Sequence, residues 1–291
     1  MLKYQPNRAL DELVHGLHQS VAVDKIFLLG VMAEGQVVNS IFHLADQRSM
    51  PPTAYFMLLL TRPGERRTED TVQDMLEQRF RYSLPVHLIV YSASSFYQWL
   101  KDGQSFAVRV IEQAPMLYDA RITQIPPPGF CFREDHLYRQ QRQAVCGYRR
   151  SGEFLAGAEL YALRKEYNLA AFLLHQSAEH ACLSYMLQYT GLKTGTHNID
   201  KLLRYTSMIS NEVSHYFPRN SEADIELFRL LQKAYIHARY KDDYSISPFQ
   251  IKVLIRRMKK LLLRLYPEAT EGGLQVQEAA LPQPFLAGHY N

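Results

Sequence analysis

The chain has 291 residues, 47% of them hydrophobic, and a net charge of +4. That is enough apolar material to build cores in two domains, and too mild a charge to indicate nucleic-acid binding by itself. Cys131, Cys146 and Cys182 show no paired spacing, which fits reduced thiols and excludes a disulfide framework or a cysteine zinc site. No apolar run approaches the roughly 20 residues of a membrane span. The opening MLKYQPNRALDELVHGL lacks the layout of a signal peptide. The expected location is therefore the cytoplasm, with no membrane partner.

In chain order, Leu10, Leu13, Val14 and Leu17 recur at helical spacing and predict an amphipathic helix over 7–18. Val23 to Gly30 and Tyr55 to Thr61 are short apolar runs that read as buried strands. A helix is expected from Thr68 to about Arg81, with Thr68 or Thr71 as its cap. A third strand is expected over Val86 to Tyr91, then helices over Ser94–Lys101 and Phe106–Glu112. This order predicts a mixed α/β unit over 1–124. The run Ile125-Pro126-Pro127-Pro128-Gly129 favours an extended spacer. Residues 125–150 are accordingly read as a linker and connecting helix. Its Arg-, Gln- and Tyr-rich part, 133–150, is either a solvated helix or a basic, aromatic nucleic-acid surface.

From Ser151 every segment has helical periodicity. The centre is Asn168 to Thr190, apolar nearly all round and so expected to be buried on several sides. Yet it carries His175, Gln176, Glu179 and His180, which need partners if buried. Gly191 is placed to end it. Further helices are expected to start at Thr196–Ile199, at Asn220 or Ser221, and near Pro248. In the helix after Ser221, Phe228, Leu231 and Tyr235 form an inner stripe that Arg239 continues four residues on. Residues 151–266 thus predict an all-α bundle, and 267–291 a frayed tail.

Two resemblances follow from these residues. Strand, glycine, loop, apolar strand, helix, strand in the first half is similar to the minimal nucleotidyltransferase domain. That family has a Gly-Ser pair and carboxylates that hold Mg²⁺. Here Val31 follows Gly30, the second strand offers Tyr55, Phe56 and Met57, and His87 stands on the third. Hard cations need oxygen ligands, so a Mg²⁺ site would have to be built from elsewhere, for example from Asp46 in the preceding loop. The implied unit is a degenerate transferase-like fold. The second half resembles the HEPN family. The matching words are FLLHQSAEHA at 172–181, KTGTHNI at 193–199 and AYIHARYKDDY at 234–244. This resemblance implies an up-and-down bundle, often dimeric, in a family with both nucleotide-binding and RNA-cleaving branches. The cleaving branch pairs an arginine with a histidine after four to six residues. Arg229 and His237, or Arg204 and His215, do not have that spacing.

The expected α+β chain is therefore a degenerate nucleotidyltransferase-like domain followed by a HEPN bundle. Its expected function is non-catalytic nucleotide binding or regulation rather than an enzymatic one, since both sets of catalytic motifs are missing. The expected ligand site for an anionic nucleotide is His175, Glu179, His197, Arg239 and Tyr240, with no catalytic residue, metal or cofactor assigned. Two arrangements of Arg239 stay open: a buried ion pair with Glu179 that fixes helix register, or an anchor for a ligand phosphate. The alternatives are a metal-independent ribonuclease using Arg239 with His237 or His175, and a protein-interaction scaffold. A nucleotide, RNA and a second copy of the chain through the bundle are the candidate partners. His180 and His215 have no spacing that builds a metal site.

Overall fold

A computed structural model of the chain describes residues 7–33, 36–42, 52–82, 85–129, 133–241 and 243–266. Asp46 and the expected tail at 267–291 lie outside the described residues.

The first half builds a sheet flanked by helices. Helix α1 (Arg8–Ser20) is capped by Asn7, whose side chain accepts from the Leu10 amide, and buries the expected Leu10, Leu13, Val14 and Leu17. Strand β1 (Val23–Ala33) is the long central strand. On one side it pairs antiparallel with β3 (Ala54–Thr61). Its other edge is shared by β2 (Gln36–Ser40), opposite Gly30 to Ala33, and β5 (Met116–Asp119), opposite Lys25 to Phe27, both antiparallel. Strand β4 (Val86–Ser92) runs parallel to β3, with α2 (Glu69–Phe80) as the connection. Thr68 caps α2 as expected. Helices α3 (Ala93–Lys101) and α4 (Ser105–Gln113) follow. Strands β2 and β5 were not expected from the sequence. Tyr55 and Met57 are buried, Tyr55 accepts a hydrogen bond from Asn7 at 3.0 Å, and β3 is core.

The second half is helical. Helix α5 (Arg133–Leu163) runs unbroken for 31 residues, so the expected change from connecting helix to bundle helix at 150/151 is not a break in the chain. Helix α6 (Tyr167–Thr190) follows after a short turn and ends at Gly191, whose φ of +75° is the left-handed conformation that glycine adopts without strain. Helix α7 (Ile199–Ser207) is capped by Asn198, α8 (Glu222–Tyr240) by Ser221, and α9 (Pro248–Leu265) by a Ser247–Gln250 capping box. Helix α6 packs against α5, α7, α8 and α9. Its apolar circumference has the expected cause. Among the described residues no helix is long and apolar enough to cross a membrane.

The sheet and the bundle share one continuous core, and α7 docks them. Tyr205 donates to the Leu88 carbonyl at 3.0 Å and accepts from Gln73 at 2.6 Å. Arg204 reaches Glu77 at 3.2 Å and His87 Nδ1 at 3.0 Å, and Lys201 pairs with Asp74 at 2.6 Å. His87, noted where a transferase would place an acid, thus holds the bundle to the sheet.

The α5–α6 packing depends on Gly147. A Cβ there would sit 2.1 Å from Ser184 Oγ, which is itself bonded to the His180 carbonyl at 2.7 Å. Gly147→Ala is expected to destabilise the fold by about 1–3 kcal/mol through overpacking. Adding Ser184→Ala removes the clashing oxygen and should recover most of the stability in urea unfolding. Equal instability of the single and double variants would contradict this role of Gly147.

Candidate functional site

The five residues expected to form a site come together where α6, the loop before α7 and the end of α8 meet. Glu179 is the hub. Its side chain is 5% exposed. His197 Nδ1 lies 2.9 Å from Glu179 Oε1, and Gln176 donates to Oε2 at 3.2 Å. His175 Nδ1 stands 3.7 Å from the same Oε2. A carboxylate beside Nδ1 requires that nitrogen to carry the proton, which leaves His197 Nε2 to meet a ligand. The His197 side chain is 52% exposed, so the contact joins a buried acid to an imidazole at the surface.

Tyr235 completes the cluster. Its ring stacks on His197 with centroids 4.6 Å apart and on His175 at 5.2 Å. The exposed guanidinium of Arg239 lies over the rings of Phe172, Tyr235 and Tyr240, at 4.9, 4.7 and 4.8 Å. Stacking of this kind orients the planar cation. Its Nε donates to the Tyr235 carbonyl at 2.6 Å. No ion pair joins Arg239 to Glu179 among the described residues. The register-fixing pair considered from the sequence is therefore corrected: Glu179 is satisfied by His197 and Gln176, and Arg239 turns outward over aromatic faces. Tyr235, expected only on the inner stripe of its helix, and Phe172 both lie against the Arg239 guanidinium.

The two histidines differ in kind. His175 is fully buried, and burial, reinforced by the His197 and Arg239 charges, pushes its pKa down to about 3. Its Nε2 has no hydrogen-bond partner among the described residues. Burial thus favours the neutral form of the His175 imidazole and closes it off from solvent. His237 lies two residues from Arg239, so the two project from different faces of α8. His215 is exposed on a short 3-10 turn (Val213–Tyr216). Among the described residues no group of three or more His, Cys, Asp or Glu side chains is placed to hold a metal. Helix α7 begins at Ile199, within the expected range, and the Asn198 side chain takes the Lys201 amide.

A cleft of ≈ 460 Å³ lies elsewhere, between α2, β4 and residues 192–195. Gln73, Tyr91 and Tyr205 on its wall are committed to hydrogen bonds that join sheet and bundle. It touches the same loop that carries His197, but none of the five site residues lines it. The side-chain chemistry, not the larger void, marks the candidate site.

Residues 147–266 match the HEPN domain family. Among solved structures, an archaeal HEPN homologue is similar at 22% identity, over 42% of this chain and 93% of that chain, with a TM-score of 0.29. No curated protein matches the chain. The matched region contains α6 to α9 and every residue of the cluster.

The buried histidines make the fold acid-sensitive. The ordinary value of 6.5 falls to about 3 at His175, and at His87 to about 4 through burial and the Arg204 charge. As pH drops below 6.5 the unfolded chain takes up these protons and the folded chain does not. Stability therefore falls with pH, by up to about 1.4 kcal/mol per unit and site. Urea unfolding between neutral pH and pH 5 should show this slope, and His175→Phe should make it shallower. An unchanged slope in the variant would show that His175 is not a buried neutral group.

Proposed function

We propose that the HEPN domain of this chain is a non-catalytic, nucleotide-binding regulatory module whose site is the Arg239–His197–Glu179 cluster. The observation that carries the reading is the state of Arg239. Its guanidinium is oriented by three aromatic faces and its Nε is bonded to the backbone. Its terminal nitrogens have no acidic partner among the described residues. A planar fork held in this way suits the oxygens of a phosphate. His197, steadied by Glu179 and stacked on Tyr235, supplies a second donor when protonated at Nε2. Tyr240, 71% exposed, offers a face on which a base can stack.

The nucleotidyltransferase likeness of residues 1–124 belongs to this proposal as a likeness of layout. Strand β3 presents core side chains where the chemistry needs carboxylates, so the sheet is read as a platform for the bundle. Leu160, Leu163, Ile236 and Phe249 are exposed at the end of the bundle where α5 and α8 finish and α9 begins. They support a homodimer through that end, beside Tyr240.

A second reading is favoured by one contact. The 2.9 Å approach of Glu179 to His197 is the arrangement that orients an imidazole for proton transfer. With Arg239 nearby, the cluster holds the parts for metal-independent cleavage of a phosphodiester.

Calorimetric titration with ATP in the absence of Mg²⁺ tests the first reading. Saturable binding is expected, weakened about thirtyfold in Arg239→Ala, which corresponds to about 2 kcal/mol for a charge-assisted contact. No binding by the folded wild-type protein would refute nucleotide recognition. RNA degradation that persists with a chelator, and disappears in both Arg239→Ala and His197→Ala, would establish the second reading instead.

A further inference from the structure

Helix α5 carries a row of arginines that the fold does not use. Arg139, Arg142, Arg149 and Arg150 are exposed, and none has an acidic partner within 4.0 Å among the described residues. Several basic residues on other helices are paired. On α9, Arg257 meets Asp224, Lys259 meets Glu159 at 2.5 Å and Arg264 meets Glu212 at 2.6 Å. On α7, Arg204 and Lys201 are bonded to α2. The basic face of α9 is therefore partly neutralised, and that of α5 is not. The unpaired row spans about 16 Å at 1.5 Å per residue.

The row borders a groove of ≈ 400 Å³ between α5 and α6. Arg142 and Arg150 lie on its α5 side, with Cys146 between them. Leu183 and Leu187 form its apolar wall on the α6 side. His180, also in the groove, stacks on Phe154 with ring centroids 5.3 Å apart and an interplanar angle of 23°. Burial and the Arg150 charge lower its pKa, so at neutral pH it presents an uncharged ring. Tyr138, 50% exposed, stands one turn before Arg142 on the same helix.

Cations for a phosphate backbone beside ring faces and an apolar trough are the parts that hold an unpaired strand. A duplex keeps its bases stacked inside and has no use for the trough. We infer that the α5–α6 groove, with Arg139, Arg142, Arg149 and Arg150, is a binding track for single-stranded nucleic acid. It is distinct from the Arg239 cluster and does not depend on it. The two adjoin on α6, where His180 follows Glu179.

The test uses the full chain and a labelled oligouridylate, followed by fluorescence anisotropy over a range of salt. Binding is expected to be stronger than to a duplex of the same length. Replacing all four arginines by alanine should weaken it about tenfold or more. The slope of log affinity against log salt should fall by about 3, at about 0.7 for each phosphate that an arginine no longer neutralises. Lys252→Ala/Arg256→Ala/Lys260→Ala on α9 should bind as the wild type does. The bound strand should also slow alkylation of Cys146 in the wild-type protein, a readout that needs no variant. Unchanged affinity and slope in the folded four-arginine variant, tighter binding of the duplex, or alkylation of Cys146 at the same rate with the strand bound would each overturn the inference.

Discussion

A carboxylate in the middle of a helix that packs on four others has to be satisfied within the protein. Glu179 is that carboxylate, and the way it is satisfied organises the site. Its partners come from its own helix, through Gln176, and from the loop that leads into α7, through His197. The second contact fixes the loop against α6 and brings the His197 ring onto Tyr235 of α8. One buried charge thereby ties three segments together. Breaking such a contact on one side leaves an unpaired charge in the interior, which costs several kcal/mol.

The same constraint separates polar groups bonded within the fold from polar groups that keep an exposed, unbonded side. His87, Arg204, Tyr205 and Gln73 are bonded to one another or to backbone across the boundary between sheet and bundle. Their polarity is spent on assembly. Arg239 and His197 are different: each is held from behind and exposed in front. Unspent hydrogen-bonding capacity on an oriented side chain is what a ligand site requires.

Much of this was legible in the sequence. The unusual polarity of HQSAEHA inside an apolar helix pointed to His175 and Glu179, and the three HEPN-like words brought in His197 and Arg239. The apolar runs located β1, β3 and β4. What failed did so for physical reasons. Strands β2 and β5 are short and have too few apolar residues to show a pattern, and both pair with the same edge of β1. The boundary expected at 150/151 falls inside the single helix α5, where Gly147 lets α6 approach closely and packing outweighs the local cost of glycine. Helical spacing placed Arg239 on the Tyr235 stripe, yet spacing gives only the direction in which a long side chain leaves the helix. Three aromatic rings captured its guanidinium before it could reach Glu179. The absence of acidic partners along α5, among the described residues, is a tertiary fact that no local pattern contains.

The central claim is that Glu179 serves the site by holding His197, and the most direct measurement is ATP affinity in folded Glu179→Leu. Leucine fills similar space and removes the acceptor. If Glu179 were only a negative charge near the ligand, its removal would tighten anion binding. A holding role predicts the opposite, affinity about tenfold weaker, comparable to one misplaced charged group. Unchanged or tighter binding in that variant would contradict the claim.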